Sequence, residues 1–268
     1  MTNVFELFRL DDQVAIVTGG AGLLGSQICE SLAEGGAHVI VASRSLEKCR
    51  AKAEELTSLG HARSTGLSVD VTETESVKNL VSEVMREFGR IDILVNNAYS
   101  GVSKSFEEMT ADQFDSALRG NVTSCFLCSQ AVSQPMKRAG QGAIINIASI
   151  YGIVSPDQRI YGDVGNNSPC NYGPAKAGVI QLTRWLATHL AQSGIRVNSL
   201  SPGGIHNPAN RERPGYEDVF VENYSQRTPL GRLGNETDFK GAVLYLASQA
   251  SAYVTGHNLV VDGGLTAW

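Results

Sequence analysis

Residues 14–36 read VAIVTGGAGLLGSQICESLAEGG, and the fold turns on this stretch. Val14 to Gly19 is a short apolar run closed by glycine, the mark of a buried strand. From Ala21 to Gly36 apolar residues recur at helical spacing and stop at paired glycines, the mark of a helix. Between the two, Gly20, Gly22 and Gly25 give G-x-G-x-x-G. Glycine there allows a tight turn and lets backbone amides at a helix N-terminus approach a pyrophosphate. The spacing alone also fits an ordinary glycine-rich turn. Set between a strand and a helix, it points to a dinucleotide, with Gly19, Gly22, Leu23 and Leu24 expected against it.

The alternation continues along the chain. Strands are expected at 38–44, 63–71, 91–98, 143–149, 195–203 and 257–264, and helices at 46–60, 72–89, 110–139, 171–192 and near 235–248. Repeated strand–helix units require right-handed crossovers and a parallel sheet covered on both faces. The expected class is α/β, a doubly wound sheet of about seven strands in one domain spanning residues 1–268. Ligands then bind beyond the carboxyl ends of the strands. Residues 201–232, rich in Pro, Asn and Arg, form a long irregular stretch of the kind that serves as a lid.

The second strand ends Ala42-Ser43-Arg44, with no acid. An acid there favours NAD, whereas an arginine accommodates a 2′-phosphate in bidentate fashion. NADP is therefore favoured over NAD, with the Ser43 hydroxyl the contact if NAD is used. Asp70 closes the third strand, where it meets an adenine amino group or caps the helix beside Thr72.

From Ser149 to Lys176 the chain reads SIYGIVSPDQRIYGDVGNNSPCNYGPAK. Of its three tyrosines, only Tyr172 has a lysine four residues on, one helical turn away. Positive charge there favours phenolate and is expected to lower Tyr172 from the ordinary value of about 10. A phenol tuned this way passes a proton to or from an alcohol oxygen. Pro174 fits only a first helical turn, so the helix is expected to begin near Asn171 or Tyr172. Taken alone, Y-x-x-x-K also fits a surface pair. Ser149 ends a buried strand at the edge where ligands bind.

The whole set resembles a short-chain dehydrogenase/reductase of the single-domain branch, from Val14 to Gly264. The matching pieces are TGGAGLLG, Asp70-Val71, Asn96-Asn97-Ala98, Asn121, Ser149, the Tyr172/Lys176 pair, Ser201-Pro202-Gly203 and VTGHNLVVDGG. The resemblance implies a Rossmann-like fold with Tyr172 as general acid/base and Ser149 holding the reacting oxygen. It implies that Lys176 binds the nicotinamide ribose and tunes Tyr172, and that Asn121 holds a relay water. Cofactor contacts are implied for Asp70, Val71, Asn97, Ala98, Tyr172, Lys176, Pro202, Gly203 and Ile205. Hydride chemistry itself belongs to the nicotinamide. A homo-oligomer, dimer or tetramer, built on helices 110–139 and 171–192 is also implied.

Some features depart from the family pattern. Leu23 stands where glycine is usual, and the spacing Gly19, Gly22, Gly25 is closer to the sugar-nucleotide-modifying branch. Tyr99 replaces the last glycine of NNAG. The interval from Ser149 to Tyr172, 23 positions, is longer than the family usually has. Its added residues include Asp157, Gln158, Arg159, Asp163, Asn166 and Asn167. An apolar substrate calls for a largely apolar pocket, so this extended loop, 149–172, points to a small polar substrate: a sugar, polyol or sugar acid. Tyr99, Tyr151, Arg159 and Tyr161 are the candidate contacts, with Arg211 or Arg213 joining Arg159 on a carboxylate or phosphate. The expected activity is an NAD(P)-dependent interconversion of alcohol and carbonyl. The alternatives are a sugar or sugar-nucleotide epimerase or dehydratase using bound NAD, and a 3-oxoacyl-type reductase.

Composition narrows the partners. Against 27 acidic residues stand 22 Lys and Arg, a net charge of −5, which offers no basic face for nucleic acid. No apolar run approaches the ~18 residues of a membrane span. Met1–Asp12 lacks a secretory pattern, so a cytoplasmic protein is expected. The cysteines, at 29, 49, 125, 128 and 170, are odd in number, against a disulfide framework. Cys125 and Cys128 lie mid-helix with no second pair, which suits core residues better than a zinc or redox site. The scattered histidines show no metal spacing, and no metal is expected.

Overall fold

A computed structural model describes residues 3–162, 168–212 and 215–268. Asp163, Asn166, Asn167 and Arg213 lie outside the described residues. The strands are β1 (Val14–Thr18), β2 (His38–Ser43), β3 (Ser64–Ser68), β4 (Ile93–Asn96), β5 (Gly142–Ile147), β6 (Ile195–Pro202) and β7 (Asn258–Val261). They form one sheet in the order β3-β2-β1-β4-β5-β6-β7, parallel throughout.

Successive strand residues face opposite sides, and here helices cover both. Ala15 and Val17 of β1 pack with α1 (Leu23–Glu34), α2 (Leu46–Ser58) and α8 (Lys240–Ala247). Val14 and Ile16 pack on the other side with α3 (Thr74–Phe88), α5 (Ser124–Ala139) and α6 (Tyr172–Leu190). Burial of both faces is why β1 and β4 read as unbroken apolar runs. The chain leaves β1 for β2 on one side and returns to β4 on the other. That reversal opens a crevice beyond the carboxyl ends of β1 and β4.

The expected single helix at 110–139 is instead two, α4 (Ala111–Leu118) and α5, joined by a π-helical turn over Arg119–Thr123. Asn121 lies in that turn. Its side-chain amide donates to the Ala117 carbonyl at 2.8 Å, and Ser124 Oγ donates to the Asn121 carbonyl at 3.0 Å. Side chains that bond the helix's own carbonyls compete with its ladder and widen it locally. Composition alone carries no such signal. The third strand also ends earlier than expected, at Ser68, so Asp70 lies just beyond it.

α6 begins at Tyr172 with Pro174 in its first turn, where the sequence placed it. Cys29, Cys125 and Cys128 are core residues, and burial pushes each thiol up, Cys125 to about 12. Among the described residues no helix is long and apolar enough to cross a membrane.

Candidate active site

A cavity of about 910 Å³ opens along the carboxyl edge of the sheet. At one end it is walled by Gly19, Gly22, Leu23 and Leu24 at the start of α1, and by Ser43 and Arg44 at the end of β2. Asp70 and Val71 follow β3 into it, Asn97 and Ala98 follow β4, and Pro202, Gly203 and Ile205 close it after β6.

The glycine turn suits a pyrophosphate because backbone packs on backbone there. Gly19 has φ 65°, and a Cβ on it would lie 2.9 Å from the Ala98 Cα. A Cβ on Gly25 would lie 2.1 Å from the Gly19 carbonyl oxygen. The first amides of α1, at Leu23 and Leu24, have no intrahelical acceptor, and they sit at the cavity wall. The turn is braced from β4. Asn97 Nδ2 donates to the carbonyls of Thr18 and Gly19 at 3.0 and 3.1 Å. Asn97 is thus a strut for the turn as well as a wall.

Asp70 also combines two roles. Its Oδ1 accepts from the Thr72 backbone at 2.9 Å and the Thr72 hydroxyl at 2.7 Å. These bonds, with the positive charges of Arg44 and Arg119 nearby, hold its carboxyl below the usual range. Lys48, in the first turn of α2, lines the cavity beside Arg44 and was missed from the sequence. The signal was present in Arg44-Ser-Leu-Glu-Lys48, a second cation four residues after the first.

At the other end Ser149, Tyr172 and Lys176 line the cavity together with Tyr99, Tyr151 and Tyr161. Lys176 is buried and its Nζ donates to the Ile147 carbonyl at 2.9 Å. The same Nζ lies 5.7 Å from the ring centres of both Tyr172 and Tyr99. A buried chain of polar groups fixes the helix that carries both residues. Asn96 Nδ2 donates to Asn146 Oδ1, and Asn146 Nδ2 donates to Thr183 Oγ1 in α6, each at 2.8 Å.

The charge state at this end differs from the sequence expectation. Burial pushes the Tyr172 phenol up, not down, and the neighbouring Ser149 side chain only partly opposes it. Lys176 is itself driven down to about 8 by burial. The i, i+4 spacing brought the pair together but carried no measure of how deeply both are desolvated.

Asn121 does not line the cavity. It is buried behind it, with Nδ2 on the carbonyls of Ala117 and Ser100. Its Oδ1 is buried with no donor among the described residues. Arg159 is a correction. It is exposed, does not line the cavity, and is bound bidentate by Asp157 at 2.9 and 2.9 Å. Arg211 is paired with Glu217 at 3.5 Å. A carboxylate two residues before Arg159 captured it, a local pairing that the sequence displayed and that was passed over.

A glycine turn at the β1/β4 switch point and the side chains of Ser149, Tyr172 and Lys176 thus line one continuous cavity, with room for a dinucleotide beside a buried phenol. A family model described as enoyl-(acyl carrier protein) reductase matches residues 20–266. The chain belongs to the short-chain dehydrogenase/reductase family. It is accordingly an NAD(P)-dependent oxidoreductase. Among its relatives in the family, it is 36% identical to the D-arabinitol 2-dehydrogenase (ribulose-forming) of Scheffersomyces stipitis, covering 99% of this chain and 98% of that one. It is 35% identical to the 3-oxoacyl-[acyl-carrier-protein] reductase FabG of Vibrio cholerae, covering 96% and 98%. A crystal structure of a gluconate 5-dehydrogenase from Burkholderia cenocepacia J2315, in complex with NADP and tartrate, superposes with a TM-score of 0.88 at 31% identity. That match covers 99% of this chain and 100% of the other. Relatives this similar are thus named for D-arabinitol, for gluconate and for a 3-oxoacyl-[acyl-carrier-protein].

Proposed function

We propose that this enzyme interconverts an alcohol and a carbonyl on a small polar substrate, of polyol, sugar or sugar-acid type, with NADP preferred over NAD. The observation that carries the substrate class is the cluster of phenol hydroxyls around the reacting end. Tyr99 and Tyr151 stand edge-on to the Tyr172 ring, with centres 5.5 and 6.4 Å away, and Tyr161 lies beyond Tyr151. A pocket walled by ring faces tipped with hydroxyls suits a polyhydroxylated carbon chain better than an acyl or steroid skeleton. NADP preference rests on Arg44 and Lys48, two cations at the end of the cavity where an acid would read a free ribose.

Bound nicotinamide supplies the hydride acceptor or donor. The chain's own residues do the rest. Ser149 hydrogen-bonds the reacting oxygen and orients it. Tyr172 gives that oxygen a proton in reduction and takes one in oxidation. Lys176, anchored on the Ile147 carbonyl, would hold the cofactor's ribose. Asn121 Oδ1, buried without a partner, is the acceptor for a water that connects Lys176 to solvent. Residues 149–172 act as the substrate loop and 201–232 as the lid of a single domain, Met1–Trp268. Exposed Phe126 on α5 and Trp185 on α6 support a homo-oligomer, dimer or tetramer, through those helices. Buried reduced thiols suit the cytoplasm.

Purified protein assayed with NADP and NAD against polyols, sugar acids and apolar ketones tests this reading. Turnover of the polar set with NADP is expected. Preference for the apolar ketones would overturn the substrate class.

A further inference from the structure

Tyr151 follows Ser149 by two residues, whereas Tyr161 is supplied by the extended loop. Their phenol oxygens lie 3.4 Å apart, and both side chains line the cavity that Ser149 and Tyr172 line. One phenol donates to the other. The pair therefore keeps one free O–H and several lone pairs for a ligand.

We propose that Tyr151 and Tyr161 form a second substrate contact, a phenol pair that hydrogen-bonds an oxygen other than the one handled by Ser149 and Tyr172. The inference deepens the polar-substrate reading above and rests on it. Burial pushes both phenols above the ordinary tyrosine range, so both remain protonated donors at working pH. They read the substrate and leave proton transfer to Tyr172. The substrate class this selects carries a second hydroxyl, carbonyl or carboxylate within a few bonds of the reacting carbon.

The loop holds Tyr161 firmly for this purpose. Phe220, in the π-helical turn Tyr216–Val221 that leads into α7 (Glu222–Arg227), packs on the Tyr161 ring with centres 5.5 Å apart. Asn223 Nδ2 reaches the carbonyls of Arg159 and Ile160 at 3.4 and 3.3 Å. Asp157 ion-pairs with Arg227 of α7 as well as with Arg159. Ile160 is buried against Tyr224 and Leu233. Asp157 and the carbonyls of Arg159 and Ile160 thus fasten the loop to α7, and the aromatic residue it delivers faces the cavity.

A site built to hydrogen-bond a substrate hydroxyl discriminates against the analogue that lacks it. The test compares D-arabinitol and gluconate with 2-pentanol, which has one hydroxyl, all with NADP. Tyr161→Phe is expected to raise KM for the better polar substrate about tenfold, the loss of one hydrogen bond, with kcat nearly unchanged. Turnover of 2-pentanol should be unaffected, which also shows that the variant folds. Asn223→Ala, which loosens Tyr161 without removing its hydroxyl, should move KM the same way by less. An unchanged ratio of polar to 2-pentanol kcat/KM in Tyr161→Phe, with the wild type preferring the polar substrates, overturns the phenol pair and leaves the polar reading standing. A wild type that prefers 2-pentanol, or leaves both polar substrates untouched, overturns both.

Discussion

Gly19 and Tyr161 wall opposite ends of one cavity, and they are held there in different ways. Gly19 is fixed by its own backbone: φ 65°, Ala98 too close for a side chain, and Asn97 on its carbonyl. Tyr161 is fixed by side chains from a distant segment, Phe220 and Asn223 among them. The first kind of site follows from a local rule of turns and helix ends. The second depends on two irregular segments meeting. The cofactor end should therefore respond to changes in backbone space, and the substrate end to changes in hydroxyl chemistry.

The largest effect is expected between these ends, at Tyr172. Tyr172→Phe keeps the ring and its packing on Tyr99 and Tyr151 but removes the proton. A general acid/base typically contributes about 10²–10⁴-fold, so kcat should fall by that order while NADP binding persists. Retained turnover would remove Tyr172 from proton transfer. The pH profile sharpens the point. With Tyr172 as the proposed acid, reduction needs its phenol protonated, and burial holds it protonated beyond the ordinary range. Lys176 loses its charge as pH rises through about 8. Reductive kcat/KM should thus be flat at neutral pH and decline through about 8, before Tyr172 itself titrates. Oxidation, which needs the phenolate, should keep rising into the alkaline range. A reductive profile with no limb near 8 would argue that Lys176 is charged throughout.

The next effect belongs to the backbone end. Gly25→Ala places a methyl 2.1 Å from the Gly19 oxygen, with rigid backbone on both sides. Overpacking of this kind costs about 1–3 kcal/mol, roughly 2–12 °C in Tm for a chain of this size. The turn must shift, so NADP affinity should fall along with Tm. The matching change at the substrate end, Tyr161→Phe, should leave both NADP affinity and Tm nearly unchanged. If Gly25→Ala bound NADP normally, backbone packing would not be what shapes the phosphate turn.

These contrasts also explain what could be read in advance. Strand–helix alternation, the glycine turn and the Tyr172/Lys176 spacing are short-range patterns, and each reports a local backbone geometry. The seven strands and the helix beginning at Tyr172 follow from them. The π-helical turn at Asn121 arises from competition between side-chain and ladder hydrogen bonds, for which no period exists. The Tyr172 shift depends on burial by residues far apart in sequence. Arg159 failed for a different reason. Its charge suggested a ligand, while Asp157, which also pairs with Arg227 of α7, took up that charge within the chain.

The smallest effect is expected at Arg44, and it bears on the charged side-chain rim of the cofactor end. Arg44 is exposed at the cavity rim, in water and beside a second cation, Lys48. Exposed charge pairs are weak and screened by salt, and Lys48 remains when Arg44 is removed. Arg44→Ala should therefore raise KM for NADP by only about two- to fivefold, an effect that shrinks at high salt. KM for NAD should stay unchanged, because no 2′-phosphate is present to feel the loss. The double change Arg44→Ala with Lys48→Ala should remove most of the remaining preference. Equal effects on NADP and NAD would mean that Arg44 shapes the β2 terminus and does not read a phosphate. The rim of the backbone-built end would then behave as its glycine turn does.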